Sequence, residues 1–258
     1  MEPRKNDFNQ LTTKFLLFMK LSFYLLAATV ALLSCKSPNT KPVALNTLSP
    51  EEQQAGFKLL FDGKTLNGWK EFNRDTLSGE WTIEDSLIVC NGKGGDIGAD
   101  LITVEQYENF ELLVDWKISP QGNSGIFYHA VEDTMYHAAY YTAPEYQLID
   151  DLGWPDELEE WQKTAADYAM HPAPSAKKLN PVGEWNSSKI IYNKGHVEHW
   201  LNGEKVVEFE AYTPEWQKLR DSGKWKDYPD YAISKIGHIG LQDHGSKIYF
   251  KNIKIKAL

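Results

Sequence analysis

The chain has 258 residues, with 27 Lys and Arg against 36 Asp and Glu, so its formal charge is −9. That acidity argues against a nucleic-acid binder, whose phosphate contacts need clustered Lys and Arg. The cysteines are Cys35 and Cys90; if Cys35 carries lipid, Cys90 is the sole thiol left, and neither an internal disulfide nor a cysteine-based metal site is then possible.

In chain order, Met19-Lys20 precedes the apolar run Leu21 to Leu33 and then Ser34-Cys35, the charged, hydrophobic and small-residue regions of a secretory leader. The run is shorter than the roughly 20 apolar residues of a spanning helix, and an anchor helix extended back to Phe15 would be interrupted by Lys20. Leu32-Leu33-Ser34-Cys35 resembles the lipobox of bacterial lipoproteins, which implies lipidation at Cys35 and removal of residues 1–34. Removal would take away four basic and two acidic residues and leave a charge of −11. The expected location is the bacterial cell envelope, with membrane contact through the lipid only. The periplasmic side is favoured, since Lys36-Ser37-Pro38-Asn39 lacks an acidic surface-export run.

Residues 36–55 read as a tether and a short helix. Ser49-Pro50-Glu51-Glu52 supplies an N-cap, a proline at the first helical position and a Glu that closes a capping box. Residues 56–258 read as one all-β domain. Phe57–Phe61, Trp81–Cys90 in two halves, Leu101–Thr103, Phe110–Ile118 and Ile126–Ala130 are strand-like, with turn signals about every ten residues. Asn91–Gly98 is a plain glycine-rich loop, without the GK[ST] ending of a phosphate cradle. Lys189–Tyr192, His196–Leu201 and Lys205–Phe209 follow, the last two joined by the hairpin signal Asn202-Gly203, and Ile239–Gln242 and Ile248–Ile255 finish the sheet. Helices are expected to open on Pro155 and Pro214, in excursions rich in aromatics such as Trp154, Trp161, Tyr168, Trp225, Tyr228 and Tyr231. Such rings can stack on a pyranose or merely pin a loop.

Pro144–Asp151 organises the rest. Alternation sends Tyr146 and Leu148 into a core and stands Glu145 and Gln147 together on the outer face. Gly240–His244 reads alike, with Leu241 inward and Gln242 and His244 outward. Together they suggest a sugar-binding face on a β-sandwich.

Leu59–Trp69, Gly122–Ile126, Glu145–Asp150, Gly183–Asn186, His199–Gly203 and Gly240–Gly245 resemble, in order, the signatures of the 3-keto-disaccharide hydrolase family. The resemblance covers about Gly56 to Ala257 and implies a concanavalin A-like jelly roll whose concave face holds sugar, acting on glycosides oxidised at C3. Arginine would be expected at position 129, where this chain has His129.

A C3 ketone makes the C2 proton acidic, and its loss expels the C1 aglycone by β-elimination. That chemistry needs a base near C2, donors for the enolate oxygen and an acid at the leaving oxygen, not the opposed carboxylates of an ordinary glycosidase. The candidate set is Glu145 or His199 as base, His244 as acid, and Asn123, His129, Gln147, Asp150, Glu184, Asn186 and Gln242 as substrate contacts. Each has a structural alternative. His199 shares parity with Val197 and Leu201 and could be a core histidine; Asp150 and Asp151 could cap a strand end, and Asn123 and Asn186 could serve turns. His137 and His171 default to solvated surface. No cofactor is demanded. A divalent cation held by His and carboxylates could act as Lewis acid, or calcium could sit near Asp96 or Asp100, but no spacing such as HExxH marks a site. The rival readings are a non-catalytic, lectin-like carbohydrate-binding module and a laminin-G-like envelope scaffold.

Overall fold

The computed structural model describes residues 44–92 and 99–258. The leader, Cys35 and Asp96 lie outside the described residues, among which no helix is long and apolar enough to cross a membrane. Helix α1 (Pro50–Gln54) opens as expected. The Ser49 hydroxyl accepts from Glu52 N at 3.2 Å, and the Glu52 carboxylate accepts from Ser49 N at 2.8 Å.

The strands are β1 (Lys58–Leu59), β2 (Trp69–Glu71), β3 (Trp81–Glu84), β4 (Leu87–Cys90), β5 (Leu101–Tyr107), β6 (Phe110–Ile118), β7 (Asn123–Ala130), β8 (Glu145–Ile149), β9 (Asn186–Asn193), β10 (His196–Leu201), β11 (Glu204–Glu210), β12 (Gly237–Leu241) and β13 (Ile248–Ala257). They pair antiparallel in two sheets, an eight-stranded one in the order β11-β10-β9-β6-β13-β4-β3 with β1 on β13, and a five-stranded one in the order β2-β5-β12-β7-β8. The fold is a concanavalin A-like jelly-roll β-sandwich. Asn202 and Gly203, at φ +48° and +85°, make the two-residue hairpin that β10 and β11 need.

Alternation builds the core. Phe110, Leu112, Val114, Trp116 and Ile118 of β6 are buried between the sheets while the residues between them are half-exposed. Tyr128, Tyr146, Leu148, Leu241 and Phe250 meet them from other strands. Each such side chain contributes about 2 kcal/mol on burial.

The outer face of the five-stranded sheet is also covered. Phe127 and Ile102, opposite in parity to Ile126 and Leu101, pack there with Phe72, Ala139 and Ala143. Met170, Trp216, Trp225, Tyr231 and Ala232 form another cluster that ties down the excursion carrying α2 (Pro214–Ser222). Thr213 caps α2 by accepting from Trp216 N at 3.2 Å.

Two elements differ from expectation. The segment after Pro155 forms only a 3-10 turn, Glu160–Gln162. Its continuation instead runs along the edge of β8: Ala165 N donates to Gln147 O at 2.8 Å, Gln147 N to Ala166 O at 3.1 Å and Tyr168 N to Glu145 O at 3.0 Å. Pairing an otherwise open sheet edge outweighs a weak local helix preference. Strand β7 begins at Asn123, inside the expected turn, because Asn123 pairs with Ile149.

Candidate active site

Strand register assembles the site. Gly125 of β7 sits opposite Gln147 of β8, Phe127 opposite Glu145, and Gln242 N donates to Gly125 O at 2.9 Å just past β12. Asn123, Glu145, Gln147 and Gln242 thereby share the outer face of three adjacent strands. They line one cavity of about 150 Å³ with His244 and with Tyr140, Tyr168, Lys224 and Tyr228 from the covering excursions.

Glu145 and Gln147 do stand together on the outer face, but that face is roofed, so both are buried, at 4 % and 2 % exposure. Room for the Glu145 side chain comes from Gly125: a Cβ there would lie 2.2 Å from Glu145 Oε1 and 2.7 Å from its Cγ. The glycine is needed for close approach rather than for its backbone conformation.

Three carboxamide oxygens carry the chemical signal. Asn123 Oδ1, Gln147 Oε1 and Gln242 Oε1 are buried and have no hydrogen-bond partner among the described residues. A buried acceptor left unmade costs about 1–3 kcal/mol, so their gathering in one cavity fits a ligand bearing several hydroxyl donors. Gln147 is held by its other end, Nε2 donating to Gln162 O at 3.1 Å, and Ser124 Oγ donates to Gln242 O at 2.8 Å.

Lys224 brings a positive charge to this wall. Its Nζ lies 4.3 Å from the Tyr168 ring centroid and 4.8 Å from that of Trp225. Sequence reasoning missed Lys224 and Tyr140, and no local spacing marks either one; Tyr168 and Tyr228 were legible as excursion aromatics. Behind the wall, burial, then the Asp167 and Glu145 charges, hold the Tyr231 phenol well above its usual range.

Other candidates lie elsewhere. His199 is sealed between the sheets: Nδ1–H donates to Ala165 O at 3.1 Å, which leaves Nε2 to accept from the Tyr128 hydroxyl at 3.4 Å. Burial pushes its pKa down to about 4. Its parity with Val197 and Leu201 makes it a core histidine, not a base. His129 packs 4.3 Å from Tyr192 and donates from Nε2 to Glu108 O at 2.8 Å, its pKa also lowered to about 4 by burial. It belongs to the core at the other end of β7.

Asp150 closes a turn, accepting from Gln121 N at 2.9 Å and Gly153 N at 2.8 Å. Asn186 Oδ1 accepts from Asn180 N at 2.9 Å and Asn202 Nδ2 at 2.7 Å, joining two loops. Glu184 is exposed in the turn before β9 and shares no face with Asn186. None of these three lines the cavity. His171 pairs with buried Asp167 at 2.8 Å and stacks on Phe209, while His137 is exposed.

For a cation, the described group with suitable mutual spacing is His196, Glu198 and Glu208, on the other sheet. Lys205 already ion-pairs with both of its carboxylates. The Asp100 carboxylate accepts from Ala139 N at 3.0 Å and Asp243 N at 3.1 Å, as a backbone clamp. Asp96 lies outside the described residues.

A jelly-roll sandwich with a roofed pocket of carboxamides, one carboxylate, one imidazole and one ammonium defines a small-ligand site built for a polyhydroxylated ring. Residues 56–256 match the 3-keto-alpha-glucoside-1,2-lyase-like domain, and the chain belongs to that family. It is 37 % identical over 248 residues to a 3-keto-disaccharide hydrolase of Bacteroides thetaiotaomicron, covering 86 % of this chain and 85 % of that one. A crystal structure from Parabacteroides distasonis, named as a candidate glycosyl hydrolase, aligns with TM-score 0.78 at 49 % identity over 83 % of this chain and all of that one, 100 %. A second from the same organism, named likewise, aligns at 0.59 and 28 %, covering 78 % of this chain and 99 % of that one.

Proposed function

We propose that this protein degrades 3-keto-glycosides or 3-keto-disaccharides, cleaving the glycosidic bond by C2 proton abstraction and β-elimination, with or without rehydration. The observation that carries the reading is the convergence of the partnerless Asn123, Gln147 and Gln242 oxygens with Glu145, His244 and Lys224 in one roofed cavity. The hydrolase named in Bacteroides thetaiotaomicron supports the substrate class.

Glu145 takes the C2 proton, and the released pair forms the enolate of C2, C3 and O3. Lys224, at the exposed edge of the cavity, stabilises the developing negative charge. The C1–O bond then breaks, and His244 protonates the departing oxygen. Water adding back at C1 would complete hydrolysis. Asn123, Gln147 and Gln242 accept from ring hydroxyls and hold C2 against the Glu145 carboxylate. A lectin would present a shallow aromatic groove, whereas this cavity is roofed and holds a carboxylate and an imidazole.

The test is turnover of a 3-keto-glucoside, followed by absorbance of the enone-like product, with Glu145→Gln and His244→Ala as controls. No turnover, with sugar binding retained in both controls, would favour the carbohydrate-binding module. We also place the protein in the bacterial envelope, anchored by lipid at Cys35 and facing the periplasm; labelled palmitate should enter the native chain and not Cys35→Ser.

A further inference from the structure

The sheet opposite the pocket carries a groove of its own. Along β6, Leu113, Asp115 and Lys117 face outward while Leu112, Val114 and Trp116 enter the core. Register sets Ser187 and Lys251 on either side of Asp115, Lys189 beside Leu113, and Tyr249 beside Lys117. The groove holds about 390 Å³, with Leu113, Asp115, Ser187 and Asn252 along it, Lys189 and Trp200 at one wall and the Glu52–Lys254 pair beside them. Its polar groups form a connected set. Ser187 Oγ donates to Asp115 Oδ1 at 2.5 Å, and Asn252 Nδ2 donates to Asp115 Oδ2 at 2.7 Å.

Within the groove Lys254 pairs with Glu52 at 2.7 Å, whereas the lysines towards its two ends are held by rings instead of carboxylates. Lys189 Nζ lies 3.7 Å from the Trp200 centroid at one end. Past Asp115, just outside the groove, Lys251 and Lys117 lie 3.9 and 5.2 Å from Trp185, and Lys117 also lies 4.5 Å from Tyr249. Lys70, Lys177, Lys205, Lys254 and Lys256 each meet a carboxylate. Lys117, Lys189 and Lys251 meet none among the described residues. An aromatic face positions an ammonium without cancelling its charge. On a chain of net charge −9 these three therefore stay available to an anion. They are also partly ordered beforehand, which lowers the entropy cost of binding.

We propose that this groove binds an acidic oligosaccharide, a hydroxylated chain bearing carboxylate or sulfate groups. The chain's hydroxyls would meet Asp115, Ser187 and Asn252, and its anionic groups would meet the lysines at the two ends. A bilayer surface would engage the lysines but not the recessed polar row, so the oligosaccharide fits better. The groove and the catalytic pocket stand on different sheets, so this inference does not rest on the chemistry assigned to the pocket.

Calorimetric titration of the full chain tests it, using oligogalacturonate and sulfated chondroitin oligosaccharides as probes and a neutral cello-oligosaccharide as comparison. Saturable binding of either acidic probe is expected, weakened about tenfold or more by Lys117→Glu with Lys251→Glu and by added salt. Lys117→Gln with Lys251→Gln removes the charges while keeping the stems, and should show the same loss if the reversal misfolds. Lys189→Gln should weaken binding from the other end. Turnover of a small 3-keto-glucoside should be unchanged in all of these variants. Failure of both acidic probes to bind would overturn the proposal, as would unchanged affinity in the charge variants. So would binding confined to phosphatidylglycerol vesicles.

Discussion

Gly125→Ala isolates the geometry of the proposed base without touching its chemistry. The new methyl would start 2.2 Å from Glu145 Oε1, 2.7 Å from Cγ and 2.8 Å from Cδ, so the whole side chain must move by ~1 Å to reach ordinary contact. A misplacement of that size in a reacting group costs on the order of 100-fold in rate, about 2.7 kcal/mol of barrier. Stability should change far less. Overpacking costs about 1–3 kcal/mol, offset in part by the roughly 0.5–1 kcal/mol that alanine gains over glycine in a strand. The assay pairs the enone absorbance rate with a thermal melt, and repeats both on a Glu145→Ala background. There Gly125→Ala should add almost nothing, because the group it displaces is gone. The reasoning fails if Gly125→Ala turns over at the native rate. It fails equally if the mutation costs as much activity without Glu145 as with it.

Gln242→Leu removes a buried acceptor that has no partner among the described residues, so its melting temperature should hold or rise by the equivalent of ~1 kcal/mol while titration shows sugar binding about tenfold weaker. His199→Ala should cost about 2–4 kcal/mol in urea unfolding yet leave kcat of the folded protein nearly unchanged, the reverse of Glu145→Gln. Asp150→Ala, which strips a carboxylate from the Gln121 and Gly153 amides, should lower stability by about 1–3 kcal/mol and spare turnover. Acid should also destabilise the fold through His129 and His199. Their folded pKa values of about 4 lie below the ordinary 6.5, so the unfolded chain binds protons first as pH falls, and stability present above 6.5 is lost on the way down to 4. At pH 5 each should have cost about 2 kcal/mol. Urea titrations at pH 7 and 5 should show a smaller drop in His129→Gln and His199→Gln than in the native chain.

Much of the site was legible because strand parity is a local property. Tyr146 and Leu148 had to point opposite to Glu145 and Gln147, and Leu241 opposite to Gln242, whatever the strands met later. For His199, named as a candidate base, parity with Val197 and Leu201 left a core position open, and only the packed sheets decided it. Asp150 and Asn186 were less legible, since turn caps and ligand contacts use the same residue types at strand ends. Lys224 could not be found this way. It reaches the pocket from an excursion far along the chain, held by contacts to Tyr168 and Trp225 that no period encodes.

What residue order determined by itself is the two-layer all-β design, the Asn202-Gly203 hairpin, the capped starts of α1 and α2, and which side chains of β8 face outward. Each follows from side-chain alternation or from a few neighbouring dihedral angles. Only the tertiary structure decided that the outward face is roofed, that Gly125 makes room for Glu145, and that three carboxamide oxygens meet without a partner among the described residues. Those outcomes depend on cross-strand register and on excursions packed over the sheet, where residues distant in sequence exclude water together.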